Sequence, residues 1–219
     1  MNKLPELLLV DKPKHWTSND VIRKIKSITK VKKIGHAGTL DPLATGLLIV
    51  GLNSGTKLLS SLITSSKKYF VVIHFGYYTN TLDSEGEVLD FKNITISFLD
   101  LVNVLDGFVS NKYLQTPPKF SAILINGVKA YKLARNNIDF EIKPKEVQLF
   151  SYKIINFANN ELMIEIDVSK GFYVRSFAYD LGLKLNSYGN VAELKRISIG
   201  NFLLADAYKI EEIYDLYNQ

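Results

Sequence analysis

The chain has 219 residues, 47% of them hydrophobic and 22% charged, enough to bury a sizeable core as one large domain or two small ones and too apolar for wholesale disorder. It has no cysteine, which excludes disulfide and thiolate chemistry, and no apolar run near the roughly 18 residues that span a membrane. The net charge of +5 is concentrated in "RKIKSITKVKK" (23–33), Lys67-Lys68 and Lys195-Arg196, which permits a polyanionic partner but equally describes a solvated face.

In chain order, "ELLLV" (6–10) reads as a buried strand that ends at "DKP". The apolar run at this N-terminus is too short for a secretory signal, so a cytoplasmic protein is expected. Thr17-Ser18-Asn19-Asp20 supplies a cap, and Val21, Ile25 and Ile28 then recur at helical spacing. "LLIVGL" (47–52) predicts a second buried strand and "TKLLSSLI" a short helix. "KKYFVVIHFGYYT" (67–79) predicts one long strand, turning at "DSEG" into "EVLDF". Phe98, Leu101, Val102 and Leu105 predict a helix that stops at Gly107.

After "TPPKFSA" comes a hairpin signal at Asn126-Gly127, then a helix around "AYKLAR". "VQLFSYKIINF" and "ELMIEIDVS" predict paired strands around Asn159-Asn160. "VRSFAYDLGLKL" predicts an amphipathic helix, "ELKRISIG" a strand and "IEEIYDLY" a final helix. Strands outnumber helices and adjoin one another, so an α+β fold with a mainly antiparallel sheet is expected rather than a doubly wound one. No linker, repeat or low-complexity tract divides the chain, and a single domain over 1–219 is expected.

Several chemistries lack their motifs. "GLNSGTK" (51–57) departs from the phosphate-loop pattern, and "GLNSG" is not a nucleophile elbow. His15, His36 and His74 are scattered, without metal-ligand spacing, so no metal site is expected. What remains is a carboxylate. In "GHAGTLDPLATG" (35–46), Pro42 biases Asp41 away from helix, glycines 35, 38 and 46 permit close backbone approach, and an apolar strand anchors the far end. An isolated Asp-Pro is a turn whose carboxylate bonds neighbouring amides.

This loop resembles the catalytic motif of the TruB-type tRNA pseudouridine synthases, G-H-x-G-x-L-D-P-x-A-T-G. Five further stretches fall in that family's order: "LLLVDKPKHWTSNDVIRKIK", "KKYFVVIHFGYYTNTLDSEG", "TPPKFSAILINGVKAYKLAR", "VSKGFYVRSFAYDLG" and "ELKRISIGNF". The resemblance implies the pseudouridine-synthase fold, with a central mixed sheet flanked by helices and loops. The implied reaction is isomerisation of uridine to pseudouridine in the T-arm of tRNA, at position 55, which needs no cofactor. It implies Asp41 as nucleophile, Tyr69 as the aromatic stacked on the target uracil, and Arg175 as the cation paired with the aspartate. It places His36 where the flipped base leaves, Tyr173 and Leu194 around the uracil, and Lys12 behind the loop. A flipped base needs a stacking surface and apolar walls, and a buried arginine partner keeps a carboxylate ionised, so these roles are physically coherent. On spacing alone, Tyr69 reads rather as a core aromatic and Arg175 as a solvated charge on a helix face; only the resemblance gives them the other roles.

Three departures from the family pattern bear on RNA binding. Leu124 stands where a lysine is usual, and Asn80 where an aspartate is common. No C-terminal RNA-binding domain follows, which leads us to expect weaker tRNA binding with a shallower salt dependence. The expected partner is the tRNA T-arm stem-loop, with no membrane, no obligatory protein partner and a monomeric state. A guide-RNA-dependent ribosomal RNA pseudouridine synthase and a non-catalytic tRNA-folding chaperone are the alternative readings.

Overall fold

The computed structural model describes residues 5–92 and 94–217. Its elements follow in chain order. Strand β1 (Leu7–Lys12) alternates half-buried and buried side chains, and helix α1 (Ser18–Thr29) starts at a reciprocal cap. There the Thr17 hydroxyl accepts from the Asp20 amide at 3.1 Å and the Asp20 carboxylate accepts from the Thr17 amide at 2.8 Å, satisfying two donors the helix cannot. Strands β2 (Ile34–His36) and β3 (Thr45–Leu52) follow, then a 3-10 turn (Asn53–Lys57) and α2 (Leu59–Thr64).

The strand expected over 67–79 divides into β4 (Lys67–Phe75) and β5 (Tyr77–Thr79), because Gly76 takes a φ of +103° that an extended strand does not allow. Strand β6 (Val88–Phe91) pairs with β5. Helix α3 (Phe98–Ser110) runs through Gly107 instead of stopping there: Leu101, Leu105 and Phe108 form one buried stripe, and burying Phe108 carries the helix past the glycine. Next come β7 (Tyr113–Gln115), the short hairpin β8 (Leu124–Ile125) and β9 (Val128–Lys129), α4 (Ala130–Arg135) and β10 (Lys145–Val147). The chain finishes with β11 (Leu149–Ala158), β12 (Glu161–Val168), α5 (Val174–Lys184), β13 (Gly189–Ile199), β14 (Phe202–Leu203) and α6 (Ile210–Tyr217). The class is α+β, and the strand pairs are mainly antiparallel.

The chain forms two compact units, Met1–Phe70 with Leu194–Gln219, and Val71–Glu193. In the first, β3 is the hub. It pairs antiparallel with β1 and β2, and parallel with β13 through Lys195↔Thr45 and Arg196↔Gly46. Its continuous apolar run is covered on both faces, as such a run requires. Leu48, Val50 and Leu52 pack with Val21, Ile25 and Ile28 of α1 and Ile213 of α6, while Leu47 and Ile49 pack with Ala37, Leu59 and Ile199.

In the second unit, β11 and β12 form a long hairpin whose turn residues Asn159 and Asn160 both have positive φ, 52° and 60°. Asn126 and Gly127 make the same kind of turn between β8 and β9. Phe108, Tyr113, Phe172 and Phe177 meet edge-on or tilted at ring separations of 4.9–6.3 Å, packing α3 against the start of α5.

Candidate active site

The expected site residues divide between the units. Lys12, His36, Asp41, Tyr69 and Leu194 belong to the first, Tyr173 and Arg175 to the second.

In the first unit, His36 ends β2, and the Ala37 amide still donates to Ile49 O at 2.9 Å, so the loop leaves β3 only beyond residue 37. Its backbone is then held from several elements. The Ser18 hydroxyl, at the start of α1, accepts from the Leu40 amide at 2.9 Å and donates to Leu40 O at 3.2 Å. The Ala44 amide closes a turn onto Asp41 O at 3.1 Å. His15, in the left-handed region at φ 66°, donates its amide to Pro42 O at 2.8 Å. Lys12 is fully buried, and its ammonium reaches Pro13 O at 2.9 Å, Trp16 O at 2.7 Å and Pro42 O at 3.4 Å. Lys12 thus bonds the loop's backbone at Pro42, and the half-buried Asp41 stands on a segment with fixed ends.

Tyr69 on β4 and Leu194 on β13 are each 7% exposed. Each has a buried cation two residues along on the same strand face. Lys67 is 8% exposed and donates to Ile63 O at 2.9 Å and Ser65 O at 2.6 Å. Burial first, and the neighbouring Arg196 charge second, bring its ammonium down to about 8. Arg196 is 1% exposed and donates to Leu47 O at 2.7 Å and Gly38 O at 3.1 Å. The sequence reading missed Ser18, Lys67 and Arg196. The alternation Leu194, Arg196 beside exposed Lys195 is the signal that could have shown an inward arginine.

In the second unit, Tyr173 precedes α5, and its main chain is clasped by Gln115: the Tyr173 amide donates to Gln115 Oε1 at 2.8 Å, and Gln115 Nε2 donates back to Tyr173 O at 3.1 Å. Arg175 is not the solvated helix-face charge that spacing alone allows. It is 5% exposed, donates to Thr81 O at 2.8 Å and Phe120 O at 3.0 Å, and lies 3.5 Å from the buried Asp83 carboxylate. Asp83 is itself fixed by the Thr81 hydroxyl at 2.6 Å and the Glu85 amide at 3.1 Å. Asn80 has a local part, its side chain accepting from the Glu87 amide at 3.1 Å where β5 turns toward β6. Leu124 is 62% exposed and pairs with Lys129, at the end of its hairpin away from the turn.

Residues 26–174 match the TruB family pseudouridylate synthase (N terminal domain). The tRNA pseudouridine synthase B of Ureaplasma urealyticum is 50% identical over 214 residues, covering 97% of this chain and 93% of that protein. The enzyme of the same name from Malacoplasma penetrans is 45% identical, with 96% and 90% covered. That of Mycoplasma mobile is 42% identical and longer: 90% of this chain aligns with 70% of it. Among solved structures, an archaeal box H/ACA sRNP Nop10–Cbf5 complex matches 97% of this chain with a TM-score of 0.72 at 22% identity. This chain spans about half (53%) of the length of that one, and the likeness concerns the fold.

Proposed function

Since the chain belongs to the TruB family of pseudouridylate synthases, we propose that it is an isomerase that converts uridine to pseudouridine in tRNA, at position 55 of the T-arm. The observation that carries this reading is the Asp41 loop: a carboxylate on a backbone tied to α1, to the 12–16 turn and to β13. Such a loop keeps its geometry while a base is extruded and bound, and holding a reactive group in place supplies much of a rate enhancement.

In this reading Asp41 assists cleavage of the N1–C1′ glycosidic bond. The detached uracil turns while stacked on Tyr69, and C5 bonds to C1′. The C5 proton is then lost to solvent and N1 gains one, so the reaction is redox-neutral and consumes nothing. Asp41, Tyr69 and Arg175 form the proposed catalytic set; His36, Tyr173, Leu194 and Lys12 bind substrate or support the loop. The protein acts as a cytoplasmic monomer without cofactor or metal. Among the described residues no helix is long and apolar enough to cross a membrane.

The test is tritium release from unmodified tRNA labelled at uridine C5, with the T-arm stem-loop as a second substrate. Release of one tritium per molecule from both is expected. RNA binding without release would leave the chaperone reading standing, and release only with an added guide RNA would favour the guide-dependent one.

A further inference from the structure

We infer that Arg196 is a positioning residue that staples together the two legs of the Asp41 loop, so that the loop's geometry is set from β13. This rests on Asp41 being the nucleophile, as proposed above. One guanidinium bonds a carbonyl on each leg: Gly38 O, three residues before Asp41, and Leu47 O, six residues after it. The main chain of the same residue fixes the loop exit. Arg196 pairs with Gly46 in the parallel register, and a Cβ on Gly46 would lie 2.4 Å from Arg196 O. Gly46 also has a φ of +97°, so no side chain could stand there without moving β3 from β13.

The choice of arginine is informative. Its hydrogen-bond partners are both neutral carbonyls, its charge adds to burial in lowering the Lys67 ammonium, and the Lys67 Cε and Arg196 Nη1 atoms approach the same Gly38 position, at 3.9 and 3.7 Å from its notional Cβ. A buried charge hydrogen-bonded to neutral carbonyls is costly, and an apolar side chain would fill the space at lower cost. What the apolar side chain lacks is a planar fork of donors at fixed angles, able to hold two carbonyls at once; lysine presents only a single mobile point charge.

The test uses Arg196→Gln, Arg196→Lys and Arg196→Met, each checked for a native circular dichroism spectrum. Hydrogen exchange is read at the Leu40 and Ala44 amides, and kcat and KM on the T-arm stem-loop. In Arg196→Met we expect exchange at Leu40 and Ala44 to speed up at least about tenfold, with the α1 amides unchanged. We expect kcat to fall about 100-fold, the scale of a 1 Å misplacement, with KM within about twofold. Arg196→Gln and Arg196→Lys should fall between; if Arg196→Met does not fold, Arg196→Lys is read in its place. Unchanged exchange, or faster exchange with kcat intact, would overturn the positioning role. Exchange needs no substrate, so a wild-type protein that released no tritium would refute the proposed function while leaving the staple to be decided by the amides.

Discussion

Two irregular segments of this protein are built on opposite plans. In residues 37–44, Ala37, Leu40, Leu43 and Ala44 are at most 4% exposed, and backbone groups of the loop are bonded to Lys12, His15, Ser18 and Arg196. Residues 116–144 carry a two-residue-per-strand hairpin and the six-residue α4, with Leu124, Val128 and Ile138 exposed at 62%, 42% and 51%. Lys119, Lys129, Lys132, Arg135 and Lys143 are exposed there too, with Arg135 lying over the Tyr131 ring at 5.6 Å. The first segment is ordered by the fold itself. The second displays most of its side chains to solvent, with Ser121, Ala130 and Ile142 among its few buried positions.

The strongest way to break this contrast is at its centre. Asp41→Ala and Asp41→Asn should fold normally and lose pseudouridine formation by at least about 10^4-fold, the scale on which loss of a nucleophile acts. Tritium release above trace contamination would remove Asp41 from its role. Next comes Tyr69→Leu, which should lose the stacking worth about 1–3 kcal/mol, a drop of roughly 5- to 150-fold in kcat/KM. Tyr69→Phe should bind RNA as the parent does and lose turnover if the hydroxyl moves a proton. Near-normal kcat/KM for the leucine variant would make this a core aromatic only.

Lys12→Met sharpens the contrast from the stability side. It strips donors from Pro13 O, Trp16 O and Pro42 O, at a cost of about 1–3 kcal/mol, or roughly 2–12 °C in Tm for a chain of this size. An unshifted melting curve would mean that the loop does not depend on that ammonium. The smallest effect belongs to the loose segment. Leu124→Lys should leave Tm alone, because the side chain is 62% exposed, and steepen the salt dependence of tRNA binding by about 0.7–0.9 log units per log unit of salt if it gains one phosphate contact. An unchanged slope would place residue 124 away from the RNA.

What the sequence disclosed was the chemistry that acts within a few residues. The Thr17–Asp20 cap, the Asn126-Gly127 and Asn159-Asn160 turns and the two-sided burial of "LLIVGL" each follow from local side chains and came out as expected. Gly76 and Gly107 were misread in opposite directions, because a glycine states only what the backbone is allowed to do. At Gly76 the chain uses a positive φ; at Gly107 the buried Phe108 decides for the helix. The pairing of β7 with β10 joins two three-residue strands thirty residues apart, too short to carry any period of their own. The Asp41 motif was legible as a motif, and its ties to Ser18 and Arg196 were not. Ser18 looked like part of a cap and Arg196 like half of a surface basic pair, since their partners lie far away in sequence.

That distance has a consequence in time. The bond from Arg196 to Gly38 closes a separation of 158 residues. At about 5–20 residues per second, a ribosome needs roughly 8 to 30 seconds to go from Gly38 to Arg196. Throughout that interval the unit that bears Asp41 lacks its part of β13 and everything after it, while all of Val71–Glu193 is made and available to fold. Asp41 is among the first parts of this protein to be synthesised, and the arginine that ties its loop is among the last.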